Sequence, residues 1–201
     1  MSTKRAKTGE CIYCGAISKI TDDHIPPRNL FPTPRPNNLI AVPSCLSCDH
    51  GASLDDEYFR LMVRLRADVL DHPAAKQLLP TVFRSLTKPK KHRFAQSLYR
   101  SMKELEITTP AGIYLGKQPS YDVDFTRLDR VAKRIAKGLF FYEWKTRLPD
   151  SHDMIAYSES GLANIGAETK RKLQKILQPI FSTKKKTFGA DIFSCRHVRD
   201  E

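Results

Sequence analysis

The sequence has no apolar run of 18 residues or more, so no membrane-spanning helix is expected. Its first ten residues, MSTKRAKTGE, carry charge with no apolar stretch behind them, which argues against a secretory signal. There is no internal repeat, no glycine-rich phosphate loop and no Ser/His/Asp hydrolase pattern. Cysteine is scarce, with five in 201 residues. Five cysteines without a secretory signal favour zinc and a free thiol over disulfides, and the expected setting is the cytoplasm.

Acidic residues are also short. Lys and Arg number 34 against 22 Asp and Glu, a net charge of +12. That balance points to a polyanionic partner, nucleic acid before membrane. The excess is uneven: residues 1–60 carry 7 basic and 7 acidic groups, 61–110 carry 10 and 4, and 111–201 carry 17 and 11. The first sixty residues are therefore neutral, and everything after them is basic. The hydrophobic fraction of 40% allows a packed core but a lean one, and the length fits one large domain or two small ones.

The neutral segment is framed by two Cys-x-x-Cys pairs, Cys11/Cys14 and Cys45/Cys48, with 30 residues between them. Four thiolates at this spacing suit one tetrahedral zinc that knits two knuckles together. Gly15 permits the tight turn after the first pair. Ile17 to Thr21 reads as a strand leading into Asp23-His24, and Pro26-Pro27 keep His24 on an extended segment. Leu39 to Pro43 reads as a partner strand. Ser53 looks like an N-cap with Asp56 completing a capping box, which predicts a helix over 54–71 with Asp55, Asp56 and Glu57 as charges at its start.

The order strand, loop, strand, zinc knuckle, helix resembles an HNH endonuclease, the ββα-metal nuclease family, in its zinc-knuckle version. The residues that carry the resemblance are Cys11-x-x-Cys14, Asp23-His24-Ile25-x-Pro27, Asn38-Leu39 and Cys45-x-x-Cys48, about a quarter of the chain. The resemblance implies metal-dependent phosphodiester hydrolysis. It implies His24 as general base, Asp23 as ligand of the catalytic ion, and Asn38 as the asparagine that steadies the loop and the base. The family places His or Asn directly after the last knuckle cysteine; here Asp49 stands there, followed by His50. Register favours Asp49 as the ligand, with His50 as the alternative for a transition metal, and oxygen ligands favour Mg2+ or Mn2+ beside the structural Zn2+. The departure also leaves open a degenerate, inactive copy.

The chemistry needs an activated water and an ion that neutralises developing charge, and neutral imidazole suits proton abstraction near pH 7. Strand alternation, however, sends Asp23 and His24 to opposite faces unless the segment twists or bulges. Without the frame around it, a lone histidine braces a proline loop as readily as it does chemistry.

Beyond the module, the pattern predicts a helix starting at His72-Pro73-Ala74 and restarted or kinked at Pro80. It predicts a third helix through Phe94, Leu98, Met102 and Leu105, then strands at Gly112–Leu115 and Tyr121–Phe125. A long helix over Phe125–Lys145 follows, then a strand at Met154–Tyr157, a helix over Glu168–Phe181 and a closing strand at Thr187–Cys195. Lys90, Lys91 and Arg93 in a basic linker, and Arg127, Arg130 and Arg134 on the long helix, are the candidate phosphate contacts; each is equally a solvated face. The expected fold is α+β: an HNH module over residues 1–71, then a mixed, mostly helical basic domain over 72–201 that positions nucleic acid, most simply double-stranded DNA. The alternatives are a non-catalytic zinc-knuckle nucleic-acid-binding protein, or a nuclease active only with a protein partner, as in a phage or defence assembly, or as a homodimer.

Overall fold

A computed structural model of the chain describes residues 7–66, 69, 72–89, 92–156, 165–189 and 191–198. The fold is α+β, with three small antiparallel sheets among the described residues. The chain divides by packing into two compact units, 1–60 with 126–201, and 61–125. This differs from the expected division at residue 71. The cause is the long helix at 125–144, whose apolar stripe returns to the cysteine-framed module instead of serving a separate C-terminal domain.

In the first unit, β1 (Lys7–Glu10), β2 (Ile17–Ile25) and β3 (Ile40–Cys45) form a three-stranded sheet in that order. β2 and β3 pair from Ile20↔Cys45 to Ile25↔Ile40 without a bulge. The strand over Ile17–Thr21 therefore runs on through His24. On β3, Ile40, Val42 and Ser44 are buried and alternate with less buried neighbours, as a strand with one covered face requires. Ile12, Ile25, Ile40, Val42 and Phe188 make the core, with Ile135, Leu139 and Phe141 packed against it.

Helix α1 (Leu46–Arg64) starts directly after β3. The expected start at residue 54 is thus eight residues late. Ser53 is no N-cap: its hydroxyl donates to the His50 carbonyl at 2.8 Å, the back-bond of a serine inside a helix. Asp49, not the 55–57 cluster, sits in the first turn where the helix dipole favours a carboxylate.

Helix α4 (Phe125–Trp144) crosses the sheet at a glycine. Gly138 is buried, and a Cβ placed there would lie 1.4 Å from Ile25 Cδ1. The bare backbone is what lets α4 approach β2 this closely. Helix α5 (Ala167–Phe181) agrees with its expected range within a residue. The expected closing strand is instead a hairpin, β6 (Lys186–Phe188) and β7 (Phe193–Cys195). The turn between them holds Gly189 and Asp191 at positive φ. No strand forms at 154–156, and Tyr157 lies outside the described residues.

The second unit takes the end of α1, where Leu61 and Met62 are buried, then α2 (Pro73–Leu86), α3 (His92–Ser101) and a hairpin of β4 (Lys103–Thr108) and β5 (Tyr114–Ser120). His72 caps α2 by accepting from the Ala74 N–H, and Pro80 is carried inside that helix. The third helix stops at Ser101, before Leu105. Lys103 to Thr108 alternates with period two and enters a strand, and one strand replaces the two expected at 112–125.

Gly138→Ala should lower unfolding free energy by about 1–3 kcal/mol, the usual cost of forcing atoms into a packed contact. Urea unfolding of the two proteins checks this; equal midpoints would mean that α4 does not sit on Ile25.

Candidate metal centre and adjoining pocket

The first knuckle is a turn. The Gly15 N–H donates to the Cys11 carbonyl at 2.8 Å, and Gly15 takes a φ of 72°. The second knuckle spans a junction, with Cys45 ending β3 and Cys48 in the first turn of α1. Because Ile12 N–H bonds the Pro43 carbonyl, the two knuckles are held side by side. The ligand atoms of Cys11, Cys14, Cys45 and Cys48 all lie within 4.8 Å of one another. Cys14 Sγ and Cys45 Sγ are 3.8 Å apart, too far for a disulfide. It is the edge expected of a tetrahedron with Zn–S distances of about 2.3 Å. The cluster is therefore compatible with a structural zinc.

The thiols differ in acidity. The Ser47 hydroxyl and the Cys48 N–H pull Cys45 down to about 6. Burial acts on Cys11 in the opposite sense but is outweighed by the backbone N–H groups of Cys45, Cys14 and Tyr13, which lower it. Burial, with Cys45 and Cys14 alongside, pushes Cys48 well up. Thiolates this close repel one another, and a cation among them would offset that repulsion.

Beside this centre is a pocket of about 350 Å³ lined by Asp22, Asp23, His24, Pro27, Arg28, Asn29, Asp49 and Asp56, four carboxylates against one guanidinium. It thus brings together His24, Asp23 and Asp49 of the expected site. Asp22, Asp23 and His24 are consecutive on an unbulged strand, so the pocket runs along the edge of β2 rather than over one face. Among the described residues, β1 flanks β2 only as far as Ile20. Burial, then the Arg28 guanidinium, holds the His24 imidazole below its ordinary value against the opposing pull of Asp23 and Asp22.

Asp23 is buried and heavily engaged. Its Oδ2 accepts from the Tyr13 hydroxyl at 2.6 Å and from Arg134 Nη2 and Nε at 2.7 and 3.1 Å. None of the three uses Oδ1. Arg134 also donates to the Cys48 carbonyl at 2.7 Å and lies 4.1 Å above the Tyr13 ring. Arg134 is therefore a clamp on Asp23 and not a free phosphate contact. Arg127 and Arg130 similarly share Asp55, at 2.8 and 2.6 Å. Asp55, expected as a helix-start charge, is their anchor, and Arg130 foremost holds its carboxyl below the usual range.

The remaining expected residues fall elsewhere. Asn38 does not line the pocket; its Oδ1 accepts from the Gly189 N–H at 3.1 Å and ties the 26–39 loop to the β6–β7 turn. His50 is exposed on α1, one position past Asp49, and is absent from the pocket wall. Lys90 and Lys91 lie outside the described residues, and Arg93 is exposed in the first turn of α3. Among the described residues, only the cysteines bring three or more such ligand atoms this close together.

Asp56 is the residue that sequence reasoning missed. It lies seven residues after Asp49 on α1, two turns along the same face, a relation hidden when the helix is started at 54. Burial first, then Asp23, Asp49 and Asp55, raise its carboxyl to about 6 against the pull of Arg134, and its Oδ1 is buried without a hydrogen-bond partner. The pocket is thus short of positive charge. Compared with family models, curated proteins and solved structures, the chain shows no match in any of the three.

Cys45→Ser should lower the melting temperature by more than about 10 °C, and a strong chelator should act likewise, since a structural zinc contributes its binding energy to folding. An unchanged melt, with no zinc in elemental analysis, would remove the metal centre. A second expectation concerns Asp56. Its folded acidity constant lies above the ordinary 3.8, so the fold loses stability as pH rises from there to about 6 and stays lower above it. Asp56→Asn should therefore gain about 1–2 kcal/mol at pH 7.5 and nothing at pH 3.5, after allowing for partial exposure. Urea titrations at the two pH values measure it, and parallel curves would contradict it.

Proposed function

We propose that the chain is a metal-dependent endonuclease that hydrolyses phosphodiester bonds, most simply in DNA. The observation that carries this reading is one pocket lined by the His24 imidazole and four carboxylates, Asp22, Asp23, Asp49 and Asp56, the last with a buried oxygen lacking a partner. Oxygen donors short of positive charge suit a hard divalent ion such as Mg2+ or Mn2+, which needs only one or two carboxylates and keeps water in its other positions. Asp23, through Oδ1, and Asp49 would hold that ion. When bound, it supplies charge neutralisation at the phosphate oxygens and at the leaving oxygen. His24, kept largely neutral at pH 7, accepts the proton of the attacking water. Asp56 adds negative charge that draws the ion in. The cysteine centre fixes the geometry and takes no part in the chemistry.

A second reading is favoured by one observation: Asp23 is bound to Arg134 and Tyr13. A carboxylate held this way serves a purely structural role equally well, which describes a zinc-stabilised nucleic-acid-binding protein without catalysis. A nuclease that needs a protein partner would look the same alone.

Plasmid cleavage by the zinc-loaded protein with no added divalent ion, with magnesium or with manganese separates them. The nuclease should nick or cut only with a divalent ion. His24→Ala should lose roughly 10²–10⁴-fold in rate with its fold intact. Asp49→Ala should be inactive and His50→Ala should retain activity. Wild-type protein that binds plasmid but cuts it in no metal, with or without candidate partners, would leave the binding protein.

A further inference from the structure

On the other side of the Arg134–Asp23 pair, between α1 and α4, lies a second cleft of about 360 Å³. Its chemistry is opposite to that of the acidic pocket. Tyr13, Cys48, Gly51, Ala52, Val131 and Met154 line it, together with Arg130, Lys133, Arg134 and Lys137 against one carboxylate, Asp55. Asp55 is already shared by Arg127 and Arg130, and Arg134 is matched by Asp23. The uncompensated charge is therefore that of Lys133 and Lys137, one helical turn apart on α4 and on one side of it. Lys133 is exposed. Lys137 contributes, after Arg147, to holding Asp150 ionised, but makes no ion pair with a described residue.

Apolar side chains in the same cleft as two adjacent ammonium groups suit a ligand that is apolar on one side and anionic on the other. A nucleotide has that form, with a sugar and base face and a phosphate. The two clefts share one wall: Asp23 lines the acidic one and Arg134, its partner, the basic one. We propose that the α1–α4 cleft is a nucleotide subsite, which seats the residue of a nucleic-acid strand next to the one whose phosphate enters the acidic pocket. Lys133 and Lys137 take its phosphate, and Tyr13, Ala52 and Met154 carry its sugar or base. The assignment rests on the nuclease reading for the neighbouring pocket, but the cleft's own grip on a strand is independent of catalysis. It also changes which cations of α4 matter: the arginines hold the protein together, and the lysines between them meet the ligand.

The test is fluorescence anisotropy of the zinc-loaded full chain with a labelled DNA duplex and a labelled single strand, with no magnesium or manganese added so that nothing is cut while the structural zinc stays in place, across a salt series. Lys133→Gln/Lys137→Gln should weaken binding about tenfold and flatten the log–log salt dependence by about 0.7–0.9 for each phosphate no longer neutralised. Lys170→Gln/Lys175→Gln, an equal charge change on exposed positions of α5, should have little effect. Ala52→Phe, which fills the cleft, should weaken binding without changing the slope. Equal losses from both lysine pairs, or no loss from Lys133→Gln/Lys137→Gln, would overturn the subsite even if the protein cuts plasmid. Lysine-dependent binding by a protein that cuts nothing would uphold the subsite and remove the nuclease. Failure of the wild type to bind either nucleic acid would remove both.

Discussion

Four sulfur atoms within 4.8 Å of one another are placed so that one metal ion would hold the first unit in register. The core around them is small, essentially Ile12, Ile25, Ile40, Val42 and Phe188 with a few half-buried neighbours, and could not position a long loop alone. The cysteines lie in the β1–β2 turn and at the β3–α1 junction, so a metal between them fixes where the sheet ends and the helix begins. That junction sets the direction of α1 and hence which of its faces looks at β2. Asp49 and Asp56 lie on that face. A change at the cysteines is therefore transmitted to the carboxylates without any of the four touching the pocket.

The Asp23–Arg134 pair carries the same constraint further. Tyr13 sits between the two cysteines of the first knuckle, and its hydroxyl reaches Asp23. The Cys48 carbonyl, from the second knuckle, receives Arg134. Both halves of the metal centre thus grip one ion pair whose members are 111 residues apart in the chain. A pair this well buried contributes little net stability, because desolvating both charges offsets most of their attraction. Breaking it is another matter, since either partner alone would be an uncompensated buried charge. Its more useful consequence is orientation. With Oδ2 occupied by three donors, Asp23 is left with one oxygen for anything in the pocket, and that oxygen has a fixed direction.

Much of this was legible locally. The two Cys-x-x-Cys pairs, the strand carrying His24, its partner strand and the long helix at 125–144 all have short-range signatures, and they appear where those signatures place them. The errors have a common physical origin. Ser53 with Asp56 imitates a capping box, but the chain enters the helix eight residues earlier because Cys48 must turn back towards Cys45. Leu105 continues a helical spacing and yet lies in a strand, since the alternation from Lys103 to Thr108 suits a hairpin. The basic face of the long helix was visible, but not its division of labour. Nothing near Arg134 or Arg127 in sequence announces Asp23 or Asp55, and long-range ion pairs leave no local mark. Gly138 is similar: its role is defined by Ile25, more than a hundred residues away.

That division of labour bears on how a neutral module can handle a polyanion. Residues 1–60 have no net charge, and four of their seven carboxylates line a pocket that would repel phosphate. Two things make the arrangement workable. A divalent ion held by the pocket would reverse its sign locally, where the proposed hydrolysis would need positive charge. The cations of α4, brought from the basic part of the chain, supply the rest on the adjoining side. Three of them are neutralised by Asp23 and Asp55 and serve as scaffolding, which keeps the acidic and basic clefts a fixed distance apart. The long helix belongs to the same compact unit as the module because its apolar side packs on the module's core; on the proposed reading the module would supply the carboxylates and the imidazole, and the helix the charge that lets an anion approach them.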